Sequence, residues 1–350
     1  MKAKWLWALA AMGFQVLVLG FMAGQREWIA RTGTTVWLRT APIDPRDVMR
    51  GDYVRLDYDI SRVEPARWGK GVGEQRGRYG GFRAGQPVFA TLRVTEDGTA
   101  ELVSLLSERP KDGLFLRGRT DSSWGSQMQV RYGIEALFMQ QGTAQALEDQ
   151  RRGQFSGVPI RAEVAVSSGG IAVLKSYRWD SLGITIAPEN TNQIVPLAVP
   201  GGGPILGINA VRVTLKNHGP EELAIVNLPG NASFALVCEA NWSPASARWV
   251  GASNAPAAPR PQDVVVLKPG ESRTNRLDLL DPQWFVVPEN RAGANGKAVP
   301  VRDLLANSGA GFRIEYRAPD RTACDGLPDA KLIWHGRLRS RLIWPSGQVD

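Results

Sequence analysis

Met49-Arg50-Gly51-Asp52-Tyr53-Val54-Arg55-Leu56-Asp57-Tyr58-Asp59-Ile60 is the stretch from which the fold is read. Val54, Leu56, Tyr58 and Ile60 alternate with Tyr53, Arg55, Asp57 and Asp59, the period of a strand that buries one face and wets the other. Gly51 and Asp52 precede it as a turn pair. Glycine tolerates positive φ, and an aspartate carboxylate accepts nearby backbone N–H groups, so the pair sets how the chain enters the strand. Tyr53 falls on the face opposite Leu56 and Tyr58, where it packs under a loop or meets a partner.

Upstream, Trp5 to Ala23 carries no charge and one amide, Gln15. A helix of ~20 such residues crosses a bilayer. Lys2 and Lys4 before it and Trp5 and Trp7 at its start place the N-terminus in the cytoplasm, with the bulk of the chain periplasmic or extracellular. A cleaved signal peptide shares the basic start and apolar core, but the run is longer than a usual signal core and Phe21-Met22-Ala23 is a poor cleavage site. Arg26, Glu27 and Trp28 mark the exit, and Thr34 to Thr40 reads as the first strand. Pro42 and Pro45 forbid a helix in the approach to Gly51.

Downstream, Glu64 to Gly85 is rich in Gly, Arg and Pro without a hydrophobic period and reads as an exposed loop. Val88 to Val94 and Ala100 to Leu106 form a hairpin through Asp97-Gly98. Leu114 to Gly118, Met128 to Ile134, Ile160 to Val166 and Ile171 to Tyr177 are further strands, the last two joined through Gly169-Gly170. Gly142 to Arg151 is the one helix expected here. So many short strands with so little helix make an all-β domain, barrel or sandwich, over 25–186.

The linker is placed at 187–206, ending in the run Pro200-Gly201-Gly202-Gly203-Pro204. A second all-β domain follows over 207–350, with strands at Val211 to Leu215, Leu223 to Leu228, Phe234 to Cys238, Val264 to Leu267, Arg276 to Leu280, Phe312 to Tyr316 and Leu332 to Trp344. A helical turn is placed at Asp303 to Asn307. The strand count and spacing resemble immunoglobulin-like sandwiches of envelope proteins.

Residues 51–58 carry Gly51, Asp52, Tyr53, Leu56 and Tyr58 in the order that defines the GDYXXLXY family, and the segment resembles that family at all five positions. Arg131-Tyr132-Gly133-Ile134-Glu135 with Phe138, Leu147-Glu148, and a strand pair closing near Trp179 extend the resemblance over the first half only. It implies a membrane-anchored bacterial envelope protein of unknown function, whose relatives are associated with multi-span membrane proteins.

The balance is basic, 42 Lys and Arg against 34 Asp and Glu, net +8. The charge is spread rather than blocked, which argues against nucleic acid as a partner. If the strands are phased as written, Arg55, Arg93, Arg117, Arg131 and Arg161 leave the core of the first domain, and Arg337, Arg339 and Arg341 that of the second. Such a face either contacts anionic lipid or an acidic partner, or is a solvated surface with Asp57, Asp59, Glu163 and Glu315 interspersed. Among 12 tryptophans, Trp242, Trp249 and Trp284 fall outside clear alternation and suit an interface or loop packing.

Cys238 and Cys324 have no metal-ligand spacing, and two histidines do not complete a zinc site, so neither metal nor cofactor is expected. In an oxidising compartment the two cysteines make one disulfide; otherwise they are thiols too far apart to meet. No catalytic residue is assigned. Asp52 reads as a turn cap or ion-pair partner of Arg50 before it reads as a catalytic acid. An anchor followed by a Gly-Asp strand resembles signal peptidases, yet no serine lies in the loop before Gly51 and no lysine between Lys4 and Lys70. His218 in a turn and His335 on a strand suggest no triad. The reading is a non-enzymatic accessory or scaffolding subunit that presents β domains to a membrane-protein partner. An envelope hydrolase and a glycan-binding module are the alternatives.

Overall fold

The computed structural model describes residues 2–41, 53–63, 67–72, 84–95, 97–121, 128–138, 150, 157–189, 208–238, 247–250, 258–279, 285–288, 299–300, 311–344 and 348–349. One long helix, α1 (Lys2–Thr32), precedes a chain that is mostly antiparallel strand. The strands of the first half are β1 (Thr34–Ala41), β2 (Tyr53–Arg55), β3 (Asp57–Tyr58), β4 (Arg62–Val63), β5 (Pro87–Val94), β6 (Ala100–Leu106), β7 (Leu114–Thr120), β8 (Met128–Arg131), β9 (Ala136–Phe138), β10 (Ile160–Val166), β11 (Ala172–Trp179) and β12 (Leu182–Glu189). The second half adds β13 (Ala210–Asn217), β14 (Leu223–Val226), β15 (Phe234–Cys238), β16 (Ala247–Val250), β17 (Val264–Leu267), β18 (Ser272–Asp278), β19 (Phe285–Pro288), β20 (Val299–Pro300), β21 (Phe312–Arg317) and β22 (Arg337–Arg339), with a short helix α2 (Arg321–Cys324).

The chain divides into two units that do not follow a single cut. One holds Met1–Arg39, Ile60–Leu137 and Arg161–Arg178; the other holds Thr40–Asp59, Phe138–Ile160 and Trp179–Asp350. The boundary expected at residue 186 falls inside β12. That strand pairs along its whole length with β13, from Leu182 opposite Asn217 to Glu189 opposite Ala210. The period of Leu182, Ile184 and Ile186 continues past the compositional change, and pairing follows the period. Residues 190–206 of the expected linker lie outside the described residues.

In the first unit α1 ends where the Gly33 N–H donates to the Ile29 carbonyl at 2.8 Å. A single residue separates helix from strand, and Thr34 to Arg39 of β1 pair antiparallel with Val166 to Arg161 of β10. A five-stranded sheet ordered β4-β8-β7-β5-β6 completes the unit, and among the described residues it does not close into a barrel. Val36, Leu38, Val88, Ala90, Leu105, Leu116, Met128, Val130 and Val164 are buried, the inward half of each alternating pattern. Asp97 and Gly98 make the expected hairpin, Gly98 at φ +76°. The expected loop over 64–85 is partly structure. Trp68 donates its indole N–H to the Val63 carbonyl at 3.1 Å, Arg67 donates to the Leu102 carbonyl, and Val72 is buried.

In the second unit a three-stranded sheet, β12-β13-β18, shares one core with a six-stranded sheet, β20-β19-β16-β15-β21-β22. Leu182, Val213 and Leu277 from one side meet Phe234, Leu236, Ile314 and Tyr316 from the other. The long final strand expected over 332–344 is broken. Only Arg337–Arg339 is strand, because Gly336 adopts φ +129° and Trp334 turns inward to give its indole N–H to Asp180 at 3.3 Å. The helix expected at 142–151, Gln150 apart, and the turn at 303–307 lie outside the described residues.

Cys324 is an unbonded, buried thiol, which overturns the expected disulfide with Cys238. Cys324 rides on α2 into a small cluster with Ala224, Val226, Leu228 and Ile333. The Val226 backbone is held by Tyr316, which opposes Phe234, whereas Cys238 opposes Phe312 four residues along the sheet.

Candidate functional site

The motif that organises the sequence is described from Tyr53 onward. The expected continuous strand is two short ones, β2 and β3, split at Leu56 and followed by a 3-10 turn at Asp59–Ser61. Leu56, Tyr58 and Ile60 are buried, as their alternation requires. Tyr58 opposes Thr40, whose hydroxyl donates to the Ile160 carbonyl at 2.9 Å. Gly51 and Asp52, and the side chains of Tyr53, Val54 and Arg55, lie outside the described residues.

Arg131-Tyr132-Gly133-Ile134-Glu135 folds into a tight turn after β8. The Glu135 carboxylate accepts the backbone N–H groups of Tyr132 at 2.5 Å and Gly133 at 3.0 Å, and Gly133 takes φ +79°. The ring of Tyr132 points inward, and its hydroxyl donates to the Ile60 carbonyl at 2.8 Å.

Above this turn lies an open cleft of about 540 Å³, built within the first unit. Its walls are Arg117 to Asp121 of β7 and its exit, Arg131 to Gly133, Glu135, Ala84, Gly85 and Ile171. Arg117 and Arg119 stand two residues apart on β7 and therefore share a face, while Arg131 is the cross-strand neighbour of Arg119. Arg119 gives one N–H to the Gly85 carbonyl at 2.9 Å, and Arg131 pairs with Asp121. Arg117 is exposed and has no side-chain partner among the described residues. A Cβ added at Gly85 or Gly133 would meet nothing within 4 Å, so the space beside both is open, and it is their φ of +83° and +79° that favours glycine. Three guanidinium groups against two carboxylates, both engaged, make an anion-attracting surface.

The five arginines expected on one basic face divide. Arg93 is exposed and pairs with Glu101 at 3.1 Å, and Arg117 and Arg131 line the cleft. Arg161 is buried, which contradicts its place on that face. It reaches Asp97 at 3.0 Å and the Thr99 hydroxyl, tying β10 to the β5–β6 hairpin. Burial pushes the Asp97 carboxyl up, but hydrogen bonds from Thr95 and Thr99 and the Arg161 guanidinium outweigh it and hold the carboxyl well below its usual range. Strand phase alone cannot say that a hairpin from another sheet covers the outward face of β10.

Glu315, placed on a solvated face by alternation, is fully buried. Arg317 and Arg339 donate to its two oxygens at 2.6 and 2.5 Å. Arg119 and Glu135 went unnamed as site residues. Outward alternation of β7 pointed to the first, and a glutamate three residues beyond a Tyr-Gly pair pointed to the second.

The buried Tyr58, the Tyr132 turn and the paired β10 and β11 all fall in one block of the sequence. Residues 15–176 match the GDYXXLXY family. The family's description is GDYXXLXY protein, and its match stops short of β12 and the whole C-terminal sandwich. No curated protein and no solved structure matches the chain. The cleft thus lies inside the GDYXXLXY region, walled by β7, the Tyr132 turn and Ile171 of the β10–β11 turn.

Proposed function

We propose that this chain is a membrane-anchored envelope protein, held by α1 with its N-terminus in the cytoplasm, acting as a non-enzymatic accessory or scaffolding subunit. The observation that carries the reading is the continuity of α1 with β1. The helix has 31 residues, and its stretch Leu9–Thr32 is long and apolar enough to span a membrane, with no residue buried over an 18-residue window of it and Ile29 buried near its end. Trp5, Phe14, Leu19 and Phe21 are each more than 60% exposed, apolar area that lipid covers. With Gly33 as the only residue between helix and sheet, the first unit is carried against the bilayer surface rather than tethered at a distance. A partner that docks there meets a fixed orientation.

The C-terminal sandwich, in this reading, is an immunoglobulin-like module presented to that partner. Chemistry in the cleft is poorly served, since Glu135 is spent on backbone N–H groups and Asp121 on Arg131, which favours binding over hydrolysis. The test is a mild-detergent pull-down of tagged full-length protein with mass spectrometry, beside carbonate extraction of the membranes. Retention in the carbonate pellet and a stoichiometric integral membrane partner are the expected results. Recovery of the protein alone across several detergents overturns the subunit role, and release by carbonate overturns the anchor.

A further inference from the structure

The arginine cleft is joined to the end of α1 by a short path of contacts. Gly33 lies against the Val166 backbone, where an added Cβ would come within 3.0 Å of the Val166 carbonyl oxygen, and Thr34 pairs with Val166. One residue on, Ser167 donates its N–H to Ile171 at 2.9 Å across the β10–β11 turn. Ile171 is a wall of the cleft, and the Gly170 carbonyl accepts the Arg117 N–H at 2.8 Å. Two ladder steps separate helix end from cleft, about 10–15 Å.

The helix itself sets the height. Gly24 to Thr32 extend α1 by about 13 Å past Ala23. The headgroup layer is about 5–8 Å thick on each side of the hydrocarbon. Tilts of about 20° shorten the projection further. The end of α1 therefore stands within about one Debye length, ~8 Å in physiological salt, of the phosphate plane, and the cleft lies one strand turn away from that end.

The side chains suit that neighbour. The guanidinium of Arg117, with no side-chain partner among the described residues, offers its fork of donors, and Arg119, oriented by Gly85, keeps N–H groups to spare; planar forks match phosphate oxygens two at a time. Ile171, 38% exposed beside them, supplies apolar surface for the glycerol and the first methylenes. We infer that this cleft binds the phosphate of an anionic phospholipid headgroup in the bilayer that α1 enters, with Arg117 and Arg119 as its ligands. The inference rests on the membrane-anchored reading and adds a lipid specificity to it.

The experiment is native mass spectrometry of full-length protein released from neutral detergent, offered dioctanoyl-phosphatidylglycerol, dioctanoyl-phosphatidylcholine or inorganic phosphate. The protein retains the glycerol lipid about tenfold over the choline lipid, a preference lost in the R117Q/R119Q double variant. R117K alone, which keeps the charge but not the fork, weakens retention and guards against a folding defect in the double variant. Equal retention of both lipids overturns the proposal, as does a preference that survives R117Q/R119Q. Displacement of the lipid by equimolar inorganic phosphate overturns the headgroup assignment in favour of a free-anion site. Chains that stay in the carbonate pellet yet show no lipid preference defeat this inference alone, while chains released by carbonate defeat the anchor and this inference together.

Discussion

Tyr132 gives its hydroxyl hydrogen to the carbonyl of Ile60 at 2.8 Å, joining the turn after β8 to the segment that closes the GDYXXLXY motif. Burial, with the Glu135 carboxylate nearby, pushes the phenol above its usual range, so it remains a neutral donor at any working pH. Removing the hydroxyl strands a buried carbonyl. Tyr132→Phe should cost the first unit about 1–2 kcal/mol, a drop of about 2–8 °C in its unfolding midpoint. Calorimetry of the full chain reads this directly, and an unchanged midpoint would mean that the bond does not contribute.

Gly170 holds the β10–β11 turn at φ +78° and accepts the Arg117 N–H. An added Cβ would sit 2.6 Å from the Phe115 ring and 2.9 Å from the Arg117 nitrogen. The ring can yield, but the backbone nitrogen cannot without opening the contact. Gly170→Ala should destabilise by about 1–3 kcal/mol. In hydrogen exchange the Arg117 amide should lose protection while the β5–β6 amides keep theirs.

Strand periods were legible in the sequence because one-sided burial imposes them: the β5–β6 hairpin, β10, β13 and β21 stand where alternation put them. What lay on the outward faces was not legible. Arg161 and Glu315 each occupy an outward position by phase, and each is covered by residues distant in the chain, Asp97 in one case and Arg339 in the other. Alternation fixes which way a side chain points and says nothing about what arrives later to cover it. The same limit hid the cleft, since Gly85, Arg117, Arg131 and Ile171 meet only in space.

Cys324 tests the corrected thiol chemistry. It is 2% exposed, and burial together with Asp325 and Asp320 pushes its thiol up, so thiolate is scarce at neutral pH. Under non-reducing conditions a maleimide should leave Cys324 unlabelled in the native protein and label it fully once denaturant is added. Labelling that requires a reductant as well as denaturant would restore the disulfide.

Arg161 and Arg117 make a matched comparison, since alternation placed both on one face. Arg161→Leu breaks the contact with Asp97, whose side chain is 42% exposed and therefore partly screened. It should cost about 1–3 kcal/mol, less than a fully buried pair. Arg117→Leu should stay within about 0.5 kcal/mol. Urea unfolding of the two variants in parallel checks the order, and equal losses would return Arg161 to the surface.

Glu315 makes stability depend on acid. Burial raises its carboxyl, but Arg339, Arg317 and Arg337 together hold it at about 2, below the unfolded value of 4.5. A depressed folded value means that the ionised form is favoured by folding, so the contribution is complete above the unfolded value and is lost as pH falls from about 4.5 towards 2. Glu315→Gln keeps the shape and deletes the charge that Arg339, only 13% exposed, pairs with. The substitution should cost about 3–5 kcal/mol at neutral pH, the loss expected when one partner of a buried pair is removed. The difference between wild type and variant should then shrink as the pH falls through that window. A gap that stays constant from pH 6 to pH 2.5 would show that the glutamate acts by packing rather than by charge.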